Sequence, residues 1–478
     1  MKSLPAWGLA FPILVAAGCV AGPDYQRPSA TTIPPAYGGA TNEWRIGQPQ
    51  AHLPKGPWWQ IFRDDDLNLL EEAAEAASQE LKAAAARFDL ARAVLGIARA
   101  GLMPNLRISA AASRIRDSFN RPQDGKGAGH SETYSSFSVP LELGYEVDLW
   151  GRVRRAMEAA SARSQADAAD LESVKLTIQA DLAIHYFRLR SLDAEARLLS
   201  STMETFQKAL ALTRNRRAGG VATDLDVSQA ETVLRTTEAQ LPAIALERVK
   251  LAHAIAVLAG QNPTTFRLPE KTLEPAPPSI PAGVPSELLQ RRPDIAAAER
   301  RMAEANAGIG VARTAFFPAL RLMGTAGLQS VDAGTLFNWP SRLWAVGPSL
   351  TVPLFDGGRN RAGLQQAKAV YDERVAQYRQ SVLIAFSEVE DHLAAQQYLT
   401  AEHEAQTGAL ESARRTLAIA TNRYHAGLVT YLEVATAQSA ALDRERATVQ
   451  LRGQQLVAAV ALVKSVGGSW ENPGQTAR

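Results

Sequence analysis

Two periodicities divide the chain. Through "WWQIFRDDDLNLLEEAAEAA" apolar positions recur at helical spacing, and Pro104 in "GLMPNLRISAAASRIRD" ends that run. Alternation then begins. "FSVPLELGYEV" places Phe137, Val139, Leu141, Leu143, Tyr145 and Val147 on one face, the period-two pattern of a half-buried strand. Strands are expected at about 105–116 and 133–147, a hairpin joined by the polar stretch 118–132. The period changes again at Arg152. Residues 152–218, 67 in all, contain neither Gly nor Pro, and as one helix would be about 100 Å long. No compact globular domain needs such a run, which points to a coiled coil or a helical repeat. Gly219 and Gly220 break it, and a second helical run is expected at about 223–259.

The pattern then repeats. Residues 273–285 hold five prolines in 13 positions and read as linker, within 261–285. Beyond it, "AFFPALRLMGTAG" at 315–327 matches "GLMPNLRISAAAS" at 101–113, an offset of 214. "YHAGLVTYLEVATAQ" at 424–438 matches "RAGGVATDLDVSQAE" at 217–231, an offset of 207 to 208. The second unit therefore predicts strands at about 318–330 and 343–354, helices at 359–426 and 430–466, and a turn at Gly427. The two structural repeats are 63–260 and 286–470, with 471–478 as a tail.

Four strands per chain cannot close a membrane barrel, since the smallest have about eight, and an open sheet in lipid leaves its edges unpaired. Other copies must complete it. Three copies supply 12 strands and 12 helical segments. The expected fold is mainly α with a membrane β-barrel portion; three copies are an allowed number for a pore, giving a 12-stranded β-barrel and a 12-helix α-barrel.

Composition narrows the chemistry. Lys and Arg number 51 against 49 Asp and Glu, a net charge of +2, which gives no reason to expect nucleic acid as a partner. A single cysteine excludes an intrachain disulfide and a multi-cysteine zinc site. The seven histidines are scattered without an HExxH pair, and no Walker-type loop or GxGxxG is present. With no clustered nucleophile, base or metal site, an enzyme has little support. Asp64, Asp65 and Asp66 raise a metal site as one option, but before a helical run they are expected to cap it. No apolar run after Cys19 reaches the length of a membrane helix.

The cysteine itself lies in "VAAGCVAGPDYQRP", behind a signal-like apolar run at 4–18. Small residues before one cysteine resemble a bacterial lipobox. That resemblance implies cleavage of signal peptide 1–18, and diacylglycerol and N-acyl lipid on Cys19; the alternative is an incidental cysteine in an ordinary signal. Val20, where an Asp would favour inner-membrane retention, favours the outer membrane. Residues 19–62, rich in proline to 57, read as an extended strap from the anchor.

At this point the chain resembles a TolC-like outer membrane factor of the lipid-anchored OprM/NodT branch. The stretches carrying the resemblance are "CVAGPDYQRP", "WWQIFRDDDLNLL", "RRPDIAAAERRMAEANAGIGVARTAFFPAL", "PLFDGGRNRA" and "RYHAGLVTYLEVATAQ". It covers nearly the whole mature chain. It implies a homotrimer in outer membrane lipid, with a periplasmic adaptor and an inner-membrane pump of the resistance-nodulation-division (RND) type docked at its periplasmic tip. It implies an exit duct for small molecules; type I secretion, metal efflux and a structural coiled-coil lipoprotein are the competing readings, the last predicting no strands. The docking tip would comprise Gly219, Gly220, Val221, Gly427 and Leu428. By matched position Asp226 and Glu433 are the acidic gate residues, with Asp224 adding to the ring. Tyr424 resembles the tyrosine that bonds across to the first repeat's acid. The alternative is that these acids cap the helix after each turn. Arg152, Arg154, Arg155, Arg359 and Arg361, past strand ends, are candidates for lipid headgroups or lipid A phosphates, the alternative being a solvated helix start. Trp150, Trp339 and Trp344 fit an interfacial belt.

Overall fold

The computed structural model describes residues 20–28, 56–120, 131–273, 278 and 291–468. The signal segment, Cys19, most of the strap, the loop at 121–130, much of the linker and the tail lie outside them. The described elements, in chain order, are α1 (Asp65–Ala77), α2 (Gln79–Ala100), β1 (Asn105–Ile108), β2 (Ala111–Arg116), β3 (Thr133–Val147), α3 (Arg152–Ala218), α4 (Asp224–Glu238) and α5 (Gln240–Leu258). There follow α6 (Pro293–Thr314), β4 (Ala319–Ser330), β5 (Arg342–Thr351), α7 (Arg359–His425) and α8 (Tyr431–Ser465). Contacts divide the chain into two compact units, and each draws on both sequence repeats. One comprises 1–28, 89–165 and 299–376; the other comprises 29–88, 166–298 and 377–478.

The first unit holds an antiparallel sheet in the order β1–β3–β4–β5, with β2 also on β3. The strand expected over 105–116 is split. Asn105 faces Gly144 and Ala111 faces Ser138, so both pieces keep one register. The break at 109–110 falls opposite Pro140, which has no N–H to give the ladder. Likewise β5 stops at Thr351, short of the expected 354, because Pro353 cannot donate.

Register sorts the strand residues into two faces. One carries Leu106, Ile108, Leu141, Leu143, Leu322, Trp344, Val346 and Leu350. These side chains are exposed, several by more than 60%, where a soluble sheet would cover them. The other face carries Asn105, Arg107, Glu142, Glu146, Arg321 and Thr325, which border a concavity of about 650 Å³. Opposite charges face one another there, Arg107 opposite Glu142 and Glu146 opposite Arg321. The β1/β2 edge and the β5 edge are both unpaired among the described residues.

At the helix end of the sheet, Trp150 donates to the carbonyl of Pro318 at 2.8 Å and stacks on Phe317 with centroids 4.8 Å apart. The strap enters here. Ala21 N–H donates to the Trp150 carbonyl at 2.9 Å. The Arg155 guanidinium donates to Asp24 and Glu158 at 2.8 and 2.7 Å, and also reaches the carbonyl of Ala21. Gly22, at φ +109°, passes so close to Gly310 that a Cβ would lie 2.5 Å from the Gly310 Cα.

The second unit is helical. The strap was expected to stay extended to 62, but Trp58–Phe62 form a 3₁₀ turn that buries Trp58, Trp59 and Phe62. Asp64 caps α1, accepting from the N–H groups of Asp66 and Leu67. Its other oxygen accepts from Tyr186 at 2.8 Å. The helical run expected over 223–259 breaks at Ala239, since Pro242 leaves the Glu238 carbonyl without its helical donor. Helix α8 approaches α3 closely: a Cβ on Gly453 would lie 2.6 Å from that of Ser191. Arg190 and Asp193, both buried, pair at 2.9 Å, and Arg248 adds a bond to Asp193 at 2.6 Å. These charges are matched internally.

Candidate functional site

The two glycine turns have the same construction. In the first, Gly220 takes φ +76° and Val221 N–H donates to the carbonyl of Arg216 at 2.9 Å. In the second, Gly427 takes φ +75° and Leu428 N–H donates to the carbonyl of Arg423 at 3.0 Å. Both are the six-to-one closure of a Schellman motif, which needs a left-handed residue and so selects glycine. Each leaves one apolar residue outside: Val221 is 68% and Leu428 70% exposed. Gly219 closes the end of α3 through a bond to the Asn215 carbonyl.

Downstream the turns differ. Thr223 caps α4 in a capping box: its hydroxyl accepts from Asp226 N–H at 3.2 Å, and the Asp226 carboxylate accepts from Thr223 N–H at 2.8 Å. Thr430, the matching residue, makes no side-chain cap bond. Asp226 does more than cap. Its second oxygen accepts from the N–H of Tyr431 at 3.2 Å, tying the start of α4 to the start of α8 across the repeat. Burial pushes the Asp226 carboxyl up, but the bonds from Thr223 and Tyr431, and Arg216 nearby, hold it below the ordinary carboxylate range.

Tyr424 does not make the bond expected of it. Its hydroxyl is buried and has no hydrogen-bond partner within the described residues, while Asp226 accepts from Thr223 and Tyr431. The ring engages instead. The Arg216 guanidinium lies 4.8 Å from its centroid and donates to the carbonyls of Tyr424 and His425, each at 3.4 Å. Tyr431 packs edge-on against the same ring, centroids 5.4 Å apart. Burial pushes the Tyr431 hydroxyl up to about 12. Around this contact Leu210, Leu234, Val434 and Leu442 form a core from both helical hairpins.

The other two acids are exposed. Asp224 pairs with Arg217, and Glu433 lies 3.6 Å from Arg423. Arg216 escaped sequence reasoning, although a signal was present: Arg216 and Arg423 occupy equivalent positions of the repeat, 207 apart. The arginines past the strand ends are not uniformly free for lipid. Arg152 pairs with Glu146 at 2.6 Å and Arg154 with Asp148 at 3.3 Å, while Arg155 is the buried clamp of the strap. Trp150 is packed, whereas Trp339 and Trp344 are exposed. Among the described residues no cluster of three potential metal ligands occurs and no helix is long and apolar enough to cross a membrane.

Comparison with known proteins agrees with this geometry. The family model described as "Outer membrane efflux protein" matches residues 70–261 and 284–468, one segment in each repeat. The toluene efflux pump outer membrane protein TtgI of Pseudomonas putida is 33% identical over 475 residues, covering 98% of each chain. Outer membrane protein OprJ of Pseudomonas aeruginosa is 33% identical over 479 residues, 98% of this chain and 97% of that one. Among solved structures, the outer-membrane channel OprN matches with a TM-score of 0.85 at 31% identity, over 95% of this chain and 100% of that chain. VceC of Vibrio cholerae matches with a TM-score of 0.80 at 31% identity, over 88% and 100%. Duplicated unit, apolar sheet face, paired turns and full-length similarity converge: the chain belongs to the outer membrane efflux protein family, a family of efflux ducts of the Gram-negative outer membrane and not of enzymes.

Proposed function

We propose that three copies pool their sheets into a 12-stranded barrel and their helices into a periplasmic tunnel, making the passive exit duct of a tripartite efflux system. The sheet carries this reading: it has one exposed apolar face, one polar concave face and two edges unpaired among the described residues. Such a sheet is stable in lipid only once closed, with the apolar face outward and the polar face lining water. The sheet also argues against the strandless structural lipoprotein. The cargo is small molecules, in keeping with relatives named for toluene and solvent efflux. An RND-type pump delivers them and a periplasmic adaptor seals the joint.

Cys19 carries diacylglycerol and an N-acyl chain. Its neighbours Val20 and Ala21 sit against Trp150 and Gly151 at the end of β3, which suits an anchor in the leaflet where the strands end. Val221 and Leu428, exposed beside Gly219, Gly220 and Gly427, are the adaptor-docking surface. The resting gate is held by Asp226 on Tyr431 and by Arg216 on the Tyr424 ring, with Asp224 and Glu433 paired to Arg217 and Arg423 beside it.

Photoreactive residues placed at Val221 and Leu428 in cells test the partners. Capture of an adaptor and an RND-type pump is expected. Capture of an ABC-type exporter would move the duct to type I secretion, and capture of neither would overturn the docking surface.

A further inference from the structure

Charge is distributed unequally between the two faces of the sheet. The acidic residues of the described strands, Glu142 and Glu146, lie on the polar face with Arg107 and Arg321. The charged residues that the described strands place on the apolar face are Arg114, Arg116 and Arg342, all positive and all at the loop end of the sheet. All three are exposed, and none has a carboxylate partner among the described residues. The Arg342 guanidinium lies 3.2 Å from the centroid of the Trp339 ring, and Trp339 and Trp344 are 73% and 77% exposed beside it.

The three also come level in a tilted sheet. Arg342 faces Leu328, which faces Val139; Arg114 faces Ser135, four residues nearer the loops. Three strand spacings at a tilt of about 40° displace a level line by roughly four residues. The strand ends give the same sense: Ser330 closes β4 opposite Phe137, while β3 begins four residues earlier at Thr133. Beneath the arginines the face is apolar down to Leu350 and Val147. A basic row above an apolar band matches an amphiphile with phosphate at its head and acyl chains below.

We propose that Arg114, Arg116 and Arg342 bind the phosphates of lipid A in the outer leaflet, with its acyl chains against the apolar face beneath. Guanidinium suits this role because its planar fork meets two phosphate oxygens at once. The proposal rests on the barrel reading, which places this face in lipid and the loops outside.

The test is native mass spectrometry of the purified full-length assembly, titrated with lipid A and with lipid A stripped of both phosphates. Arg114→Gln, Arg116→Gln and Arg342→Gln combined should weaken lipid A binding roughly a hundredfold, about fivefold for each arginine. The corresponding lysine variant, which keeps the charge but not the fork, should recover only part of the loss. Removing the phosphates should cost the wild type a similar factor. Equal binding of both lipids, or wild-type affinity in the glutamine variant, would overturn the proposal. A spin label at Leu141 separates this from failure of the barrel. With the label in lipid, either of those results defeats only the lipid A site; with the label in water, barrel and site fall together.

Discussion

Tyr424 and Asp226 divide the work at the tip differently from the expected tyrosine–acid bond. Since the Tyr424 hydroxyl is buried with no partner within the described residues, Tyr424→Phe should leave resting conductance in planar bilayers unchanged and slightly raise thermal stability. Tyr424→Ala removes the ring that Arg216 and Tyr431 pack on, and should raise resting conductance. Asp226→Ala loses the capping box and strands the Tyr431 N–H. A loss of about 2 kcal/mol is expected in thermal unfolding, with a leakier channel. The pH dependence has a definite sign. Asp226 titrates below its unfolded value of about 3.9, so its contribution is complete at neutral pH and lost only as pH falls through its lowered folded value. Conductance should therefore be flat from pH 7 to 5 and rise only in stronger acid. Glu71 behaves oppositely. It is fully buried in α1, neither oxygen has a hydrogen-bond partner among the described residues, and burial followed by the nearby Glu75 pushes its carboxyl well up. Stability from the neutral form is lost as pH rises above the unfolded value of about 4.3. Glu71→Gln should stabilise the protein, and by more at pH 7 than at pH 4.5, in thermal melts at the two pH values.

At the scale of elements, periodicity told most of the story. The absence of Gly and Pro over 152–218 marked α3, and alternation over 137–147 marked β3 and its apolar face. What periodicity missed follows from missing N–H groups or from tertiary partners. Pro140 splits the first strand from across the ladder, where no inspection of 105–116 would find the cause. Pro242 was visible in the helical run but opposed by its apolar pattern. The 3₁₀ turn at Trp58–Phe62 forms because its aromatics find a core, with Phe62 packed 4.8 Å from Phe187. At the tip, matched position found the acids, yet it could not show that Asp226 spends its oxygens on Thr223 and Tyr431. The strap belongs to this scale too. Arg155 is buried and holds Asp24, Glu158 and the carbonyl of Ala21, so Arg155→Ala should release the segment. Faster proteolysis between residues 20 and 28 is the expected readout, with wild-type rates contradicting the clamp.

At the scale of the whole molecule, the proposed assembly rests on the sheet. Among the described residues one chain brings four strand positions and leaves both outer ones without a neighbour. Two chains would supply eight strands, enough for a small barrel whose interior side chains fill, and three supply 12, enough for a conduit. The most direct test is native mass spectrometry of the protein extracted from the outer membrane in mild detergent. The account predicts one dominant species of three chains. A dominant monomer or dimer would contradict it.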